Sequence, residues 1–106
     1  MDHATILARL ETVIAARMAG DAQASYVARL HAKGPGAIAQ KVGEEATEVV
    51  IAALTGDRAA LTGEAADLVF HLMVLLAERG VPVDAVLAEL ARREGTSGLA
   101  EKAARA

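Results

Sequence analysis

Glu44, Glu45 and Glu48 crowd into five residues of the stretch KVGEEATEVV, and Glu64 and Asp67 follow in GEAADLVFHLMVLL. Both stretches carry apolar residues at helical spacing, so the acids ride on two helices. At about 100° per residue, the apolar stripe of the first helix centres on Val42, Ala46 and Val49. Glu45 lies beside that stripe, and Lys41, Glu48 and Glu44 follow around one flank. On the second helix Glu64, Asp67 and His71 share a face, at spacings of three and four. Only the short break TGD separates the helices, which forces an antiparallel hairpin folded about Gly56. Each helix rises ~1.5 Å per residue, so residues whose numbers share a sum lie level. Glu48 then meets Glu64, Glu45 meets Asp67, and Lys41 meets His71.

Four or five carboxylates gathered in this way repel one another unless a cation sits among them. Oxygen donors without paired His or Cys select a hard cation, Mg²⁺ above all. Mg²⁺ usually keeps waters and takes phosphate oxygens from a substrate. The expected chemistry is therefore Mg²⁺-assisted cleavage of a phosphorus–oxygen bond by water. The competing reading is a solvated acidic face, the ordinary meaning of three glutamates on one helix; the level second pair, Glu64 and Asp67, is what weighs against it. His71 reads as a satisfied core histidine. A di-iron bundle needs a glutamate three residues before such a histidine, and Leu68 stands there.

The elements that must position these groups are all helical. Ile6, Leu7, Leu10, Val13 and Ile14 predict a first helix from about Ala4 to Met18, ended by GDAQAS. SYVARLHAKGPG is less regular and closes on a Gly-Pro-Gly turn signal. The acidic helix is expected from about Ala37 to Leu54, with Ile38, Val42, Ala46, Val49 and Ala53 as its buried stripe. Asp57 suits an N-cap for the next helix, Arg58 to Glu78. That helix is apolar nearly all round between Leu68 and Ala77, so burial on most sides is expected. Gly80 ends it, and Pro82 opens a further helix to about Arg93. After EGTSG, LAEKAARA forms a last turn or frays. No period-two strand pattern, repeat or low-complexity segment occurs. The expected architecture is all-α, with antiparallel helix hairpins in a bundle completed by homodimerisation, as one domain over residues 1–106.

Composition narrows the function. Of 106 residues, 54% are apolar but only 2% aromatic, so the core is built from Ala, Leu and Val. A chain this short buries a modest core, and so large an apolar share points to a second chain. The net charge of −3 argues against nucleic-acid binding by bulk electrostatics. There is no cysteine, hence no disulfide and no thiolate zinc site. The opening residues lack the pattern of a signal peptide, and the longest apolar run is too interrupted to span a bilayer. A cytoplasmic protein without a membrane partner is expected.

KVGEEATEVVIAA followed by GEAADLVFHLMVLL resembles the EExxE…ExxD signature of the all-α nucleotide pyrophosphohydrolases. Within them the chain looks most like the phosphoribosyl-ATP pyrophosphatase family. SYVARLHAKG resembles that family's segment before the acidic helix, and ELARREGTSGLAEKAARA resembles its tail. Phe70 stands where a tyrosine is common and Ala22 where a proline is expected; neither touches the acids. Some members are fused to a zinc-dependent cyclohydrolase, for which this chain lacks the cysteines.

The resemblance implies Mg²⁺-dependent hydrolysis of phosphoribosyl-ATP to phosphoribosyl-AMP and pyrophosphate, the second step of histidine biosynthesis. It implies a homodimer whose sites are lined by both subunits. By motif match Glu44, Glu45, Glu48, Glu64 and Asp67 form the metal site, and one of Glu44, Glu45 and Glu48 orients or deprotonates the water. A nucleotide so rich in phosphate needs cations besides the metal. Arg29, Lys33, Lys41, Arg58, Arg92, Arg93, Lys102 and Arg105 are available, although such residues near helix ends commonly only complement the helix dipole. Lys33, in a glycine-flanked loop, and Lys41, on the carboxylate flank, are the favoured pair. The TSG of the tail is a weaker candidate for backbone N–H contacts to phosphate. Two rival functions fit the same acids: a housekeeping dNTP pyrophosphatase of the same superfamily, and a non-enzymatic helical dimerisation module.

Overall fold

The computed structural model describes residues 3–105, which form six α-helices and, among the described residues, no strand. They are α1 (Ile6–Met18), α2 (Tyr26–Lys33), α3 (Pro35–Thr55), α4 (Arg58–Glu78), α5 (Val83–Arg93) and α6 (Gly98–Arg105). The all-α expectation holds, and α3 and α4 form the long antiparallel hairpin on which the acids ride.

Local chemistry sets the boundaries. α1 begins at Ile6 rather than Ala4; the preceding residues form a turn, and Thr5 supplies no side-chain cap. The stretch read as irregular is helix α2, started by Ser25, whose Oγ accepts the Ala28 N–H at 3.2 Å as an N-cap does. Gly34 alone makes the turn into α3, at φ +95°, where a side chain would be strained. Pro35 belongs to the helix, at a first position where its missing N–H costs nothing. α3 therefore starts two residues before Ala37. At its other end Gly56 closes the hairpin, and a Cβ there would lie 2.9 Å from the Ala52 carbonyl oxygen. Asp57 caps α4 as expected, its Oδ1 accepting the Ala60 N–H at 2.8 Å.

α4 runs from Arg58 to Glu78, the span read from the sequence. It ends in a Schellman motif: with Gly80 at φ +70°, the Gly80 N–H donates to Ala77 O and the Val81 N–H to Leu76 O. Pro82 is the residue before α5 rather than its first. The orphan Val83 N–H at that helix start donates to the Glu11 carboxylate of α1 at 2.7 Å.

The core gathers Ile14, Val27, Leu30, Ile38, Met73, Val74 and Val83 from α1 to α5. Ile38 and Val74 are wholly shielded from solvent; full burial of one such side chain stabilises by about 1.5–3 kcal/mol. This core lies at one end of the hairpin. At the other end Val50, Ile51 and Leu54 are exposed.

Two packing expectations need correction. Ala53 is exposed and Ala52 is buried, because the Gly56 turn closes over Ala52 and shifts the buried line there. α4 is not buried on most sides: His71, Met73 and Val74 are covered, while Val69 and Leu72 stay about 40% exposed. α3 and α1 cover only part of its circumference. By length and composition alone α4 would pass as a membrane span. Along its length, however, it carries Glu64, Asp67 and His71, groups that are expensive in hydrocarbon.

Candidate metal and phosphate site

The hairpin brings Glu45 of α3 together with Glu64 and Asp67 of α4, with one carboxylate oxygen of each within 4.8 Å of the others. Glu45 and Glu64 are half-buried and Asp67 is exposed. The Glu64 carboxyl is pushed above the usual carboxylate range, first by burial, then by the charges of Glu48, Asp67 and Glu45. Glu48 therefore acts on the cluster electrostatically, although it lies outside the closest triad. Glu44 is exposed and lies outside the triad, in the lining of the neighbouring cleft.

The donor set fits a hard divalent cation. All its atoms are carboxylate oxygens, and a mutually repelling, partly desolvated trio is the environment a cation relieves. An octahedral Mg²⁺ with oxygens at about 2.1 Å keeps ligand pairs roughly 3–4.2 Å apart, a rotamer adjustment away from the spacing present. His71 is excluded as a ligand by its own hydrogen bonds. Its Nδ1 lies 2.7 Å from the Asp67 carbonyl oxygen, which can only accept, so the proton is on Nδ1. In the neutral ring Nε2 is then an acceptor, and the Tyr26 hydroxyl donates a hydrogen bond to it at 2.7 Å. The histidine is buried and satisfied, as its sequence context implied.

Beside the triad lies a cleft of about 290 Å³ between α2 and α3, whose polar lining is Tyr26, Lys33, Gln40, Lys41 and Glu44. The two favoured lysines thus share one concavity. Lys41 Nζ stands 3.4 Å from Glu45 Oε1, joining the cleft to the triad. Its ammonium is held above the ordinary lysine range, most of all by Tyr26, against burial, with Glu45 and Glu44 adding to the effect. A larger concavity of about 560 Å³ lies between α1 and the turn after α4, but Glu11 and His31 are its only ionisable lining groups and it is remote from the carboxylates. The smaller cleft is the one that adjoins the triad.

The remaining cations are differently placed. Arg92 donates to Glu89 at 2.8 and 2.9 Å and to Glu101 at 2.7 Å, and Arg93 donates to Glu89 at 2.9 Å. Arg105 lies 3.7 Å from Glu101. Arg92, with Arg93 3.8 Å from the same carboxylate, fastens α6 to α5 through Glu101, whereas the Arg105 contact lies within α6. Ser97 of TSG caps α6, its Oγ accepting the Ala100 N–H at 3.1 Å. Arg29 donates to the Ala22 carbonyl oxygen at 3.2 Å. The sequence reading gave Tyr26 no role, yet it lines the cleft and holds His71. Its being the chain's only tyrosine, just after a serine cap, was the available signal.

An all-α hairpin presenting opposed carboxylates beside a lysine-lined cleft defines a helical class of phosphate-handling proteins. Residues 7–94 match the family model described as Phosphoribosyl-ATP pyrophosphohydrolase, and the chain belongs to that family. A protein of Novosphingobium aromaticivorans named phosphoribosyl-ATP pyrophosphatase is 70% identical over 105 residues, covering 99% of this chain and 98% of its own length. Proteins of the same name from Rhizorhabdus wittichii and Erythrobacter litoralis are 72% and 67% identical, each over 99 residues. Both alignments cover 93% of this chain, and 93% and 95% of the respective relatives.

Proposed function

We propose that this chain hydrolyses phosphoribosyl-ATP to phosphoribosyl-AMP and pyrophosphate, in histidine biosynthesis, with Mg²⁺ and as a cytoplasmic homodimer. The observation that carries the reading is the meeting of Glu45, Glu64 and Asp67 beside the Lys33–Lys41 cleft, in a chain whose close relatives bear that enzyme's name. Glu45, Glu64 and Asp67 hold the metal, with Glu44 and Glu48 completing the acidic set. Bound there, Mg²⁺ would neutralise phosphate charge and lower the pKa of a coordinated water. Lys33 and Lys41 bind the phosphate chain. Lys41 neutralises Glu45 in the free protein and, once the carboxylate has a cation, is released toward phosphate. Glu44 and Glu48 lie outside the closest triad, which leaves them free to orient the attacking water and take its proton.

The dimer is supported by the apolar surface of the hairpin. Val50, Ile51 and Leu54 on α3 and Val69 and Leu72 on α4 are exposed in the single chain, apolar surface that a second copy would cover. The test is direct: the protein is incubated with phosphoribosyl-ATP and MgCl₂, and pyrophosphate is measured, with dNTPs as a parallel arm. Pyrophosphate from phosphoribosyl-ATP only in the presence of Mg²⁺ supports the assignment. Release from dNTPs alone would move the chain to a housekeeping role, and release from neither would leave a non-catalytic helical module.

A further inference from the structure

α2 carries Lys33 and lines the cleft, whereas the triad sits on α3 and α4, so the relative placement of α2 and α4 decides whether the two halves of the site are in register. Two side-chain hydrogen bonds link these helices, one near each end of α2. At its C-terminal end His31 Nδ1 lies 2.7 Å from Glu78 Oε2, on the exposed side away from the acids. At its N-terminal end the Tyr26 hydroxyl donates to His71 Nε2 at 2.7 Å. His71 in turn donates from Nδ1 to the carbonyl oxygen of Asp67, itself a member of the triad.

The surroundings fix this second link closely. Tyr26, Phe70 and His71 form one aromatic cluster: the Tyr26 and Phe70 rings stack at 6.3 Å, and His71 meets both edge-on at 5.6 and 5.3 Å. Phe70 also packs against the core. With its proton committed to His71, the Tyr26 hydroxyl faces the cleft as an acceptor, in the space it shares with Lys41. A buried imidazole with both nitrogens used has one orientation, and the tyrosine that satisfies it has one as well.

We propose that Tyr26 and His71 are a positioning pair that holds the lysine-lined cleft in register with the carboxylate triad through the Asp67 backbone. Neither residue is a catalytic residue, and the pair rests on the site reading above. The carboxylates themselves are placed by the α3–α4 hairpin, so the pair governs the alignment of bound phosphate and not the affinity for the metal. Misalignment of reacting groups by about 1 Å costs on the order of 10²-fold in rate.

The test compares Tyr26→Phe, His71→Gln, the double variant and, as a control at the remote link, His31→Gln. Tyr26→Phe keeps the stacked ring and removes only the hydroxyl. Each protein is assayed with phosphoribosyl-ATP at saturating Mg²⁺, and Mg²⁺ binding to the protein alone is measured by calorimetry. Imidazole ¹⁵N shifts report the His71 tautomer in the wild type and in Tyr26→Phe. The expected result for Tyr26→Phe is a kcat lowered about tenfold or more with KM changed less than threefold, since the loss is one of alignment. Its Mg²⁺ affinity should stay within about twofold, and the double variant should be no worse than the poorer single one, because the two act through each other. His31→Gln should keep kcat, and the wild-type shifts should show the proton on Nδ1. A Tyr26→Phe kcat within twofold of a working wild type overturns the pair alone, as does additive loss in the double variant or a proton found on Nε2. A wild type without Mg²⁺-dependent hydrolysis overturns the site reading and the pair with it.

Discussion

Asp67 is where charge and shape separate most cleanly. It is exposed, its side chain supports no packing, and its carboxylate belongs to the triad. Asp67→Asn keeps the shape and removes one charge, so kcat should fall on the order of 10²-fold or more with an unchanged circular-dichroism spectrum; activity near wild type would remove Asp67 from the site. Glu48 tests the electrostatics. Its charge is the largest of those that raise the Glu64 carboxyl, although burial is the greater cause. A carboxyl raised in the folded state holds its proton more tightly than in the unfolded chain. Its contribution to stability is therefore present at low pH and is lost as pH rises through the folded value, in a window just above the ordinary 4.5. Without metal, the charges of Glu48, Asp67 and Glu45 act against ionisation of Glu64. Glu48→Gln should melt higher than wild type in EDTA, and acidifying toward pH 5 should narrow that gap. Mg²⁺ binding only the folded form adds about 2.7 kcal/mol at a hundredfold excess over Kd, and Glu48→Gln should gain less from it. Melts of both proteins in EDTA and in Mg²⁺ at matched ionic strength check this, and equal melts throughout would mean a merely solvated face.

The helices differ in how far the sequence announces them. α4 was readable to the residue, since Asp57 and Gly80 mark its ends with known cap chemistry and its interior has no breaker but Gly63. The level pairing across the hairpin placed Glu45 against Asp67 correctly, because a turn as tight as Gly56 leaves no slack in register. α2 escaped because eight residues offer little more than two turns of periodicity, and Gly-Pro-Gly looks like a turn when only its first glycine is one. The pairing of Tyr26 with His71, 45 positions apart, depends on how α2 docks, which no local pattern encodes. α6 shows another form of long-range control. Leu99 is exposed, so the helix is held chiefly by its acid. Buried Glu101 takes the Arg92 donor, with Arg93 and Arg105 within 3.8 Å. Glu89 is drawn down to about 2 by its hydrogen bonds to Arg92 and Arg93, so its grip on these arginines within α5 persists in mild acid and is lost only as pH falls from the ordinary carboxylate range toward 2. Glu101→Ala should leave the main melt in place while amide exchange of residues 99–105 speeds on the order of fivefold. Exchange as slow as in the wild type would show that α6 stands without the clasp.

Taken as one body, the chain carries more apolar surface than its own helices cover. Leu54 is 79% exposed and Val50 57%, and both project from the end of the hairpin farthest from the core. The sequence hinted at this through its 54% apolar share, but it could not say which face would be left open. The structure leaves large apolar side chains open on several helices, and those of α3 and α4 lie on the two helices that carry the acids. Leu72 is exposed there, whereas Leu75 and Leu76 are half-buried and Leu75 packs on the core; of these three leucines of α4, Leu72 is thus the one left free to reach a partner. A second copy laid on these apolar side chains would shield the hairpin and fix the helices that set the triad, making stability a function of concentration. For a dimer that unfolds to separate chains, each tenfold dilution removes about 1.4 kcal/mol. At roughly 2–4 °C per kcal/mol for a unit of this combined size, the melting temperature should fall by about 3–6 °C per tenfold dilution. Leu72→Glu places a charge on the exposed apolar surface of α4 and should yield monomers that melt well below the wild type and no longer respond to dilution. Sedimentation equilibrium alongside the melts decides the matter. A wild-type monomer that holds its melting temperature across a hundredfold dilution would mean that the exposed leucines and valines are tolerated as they stand, and that the site works within one chain.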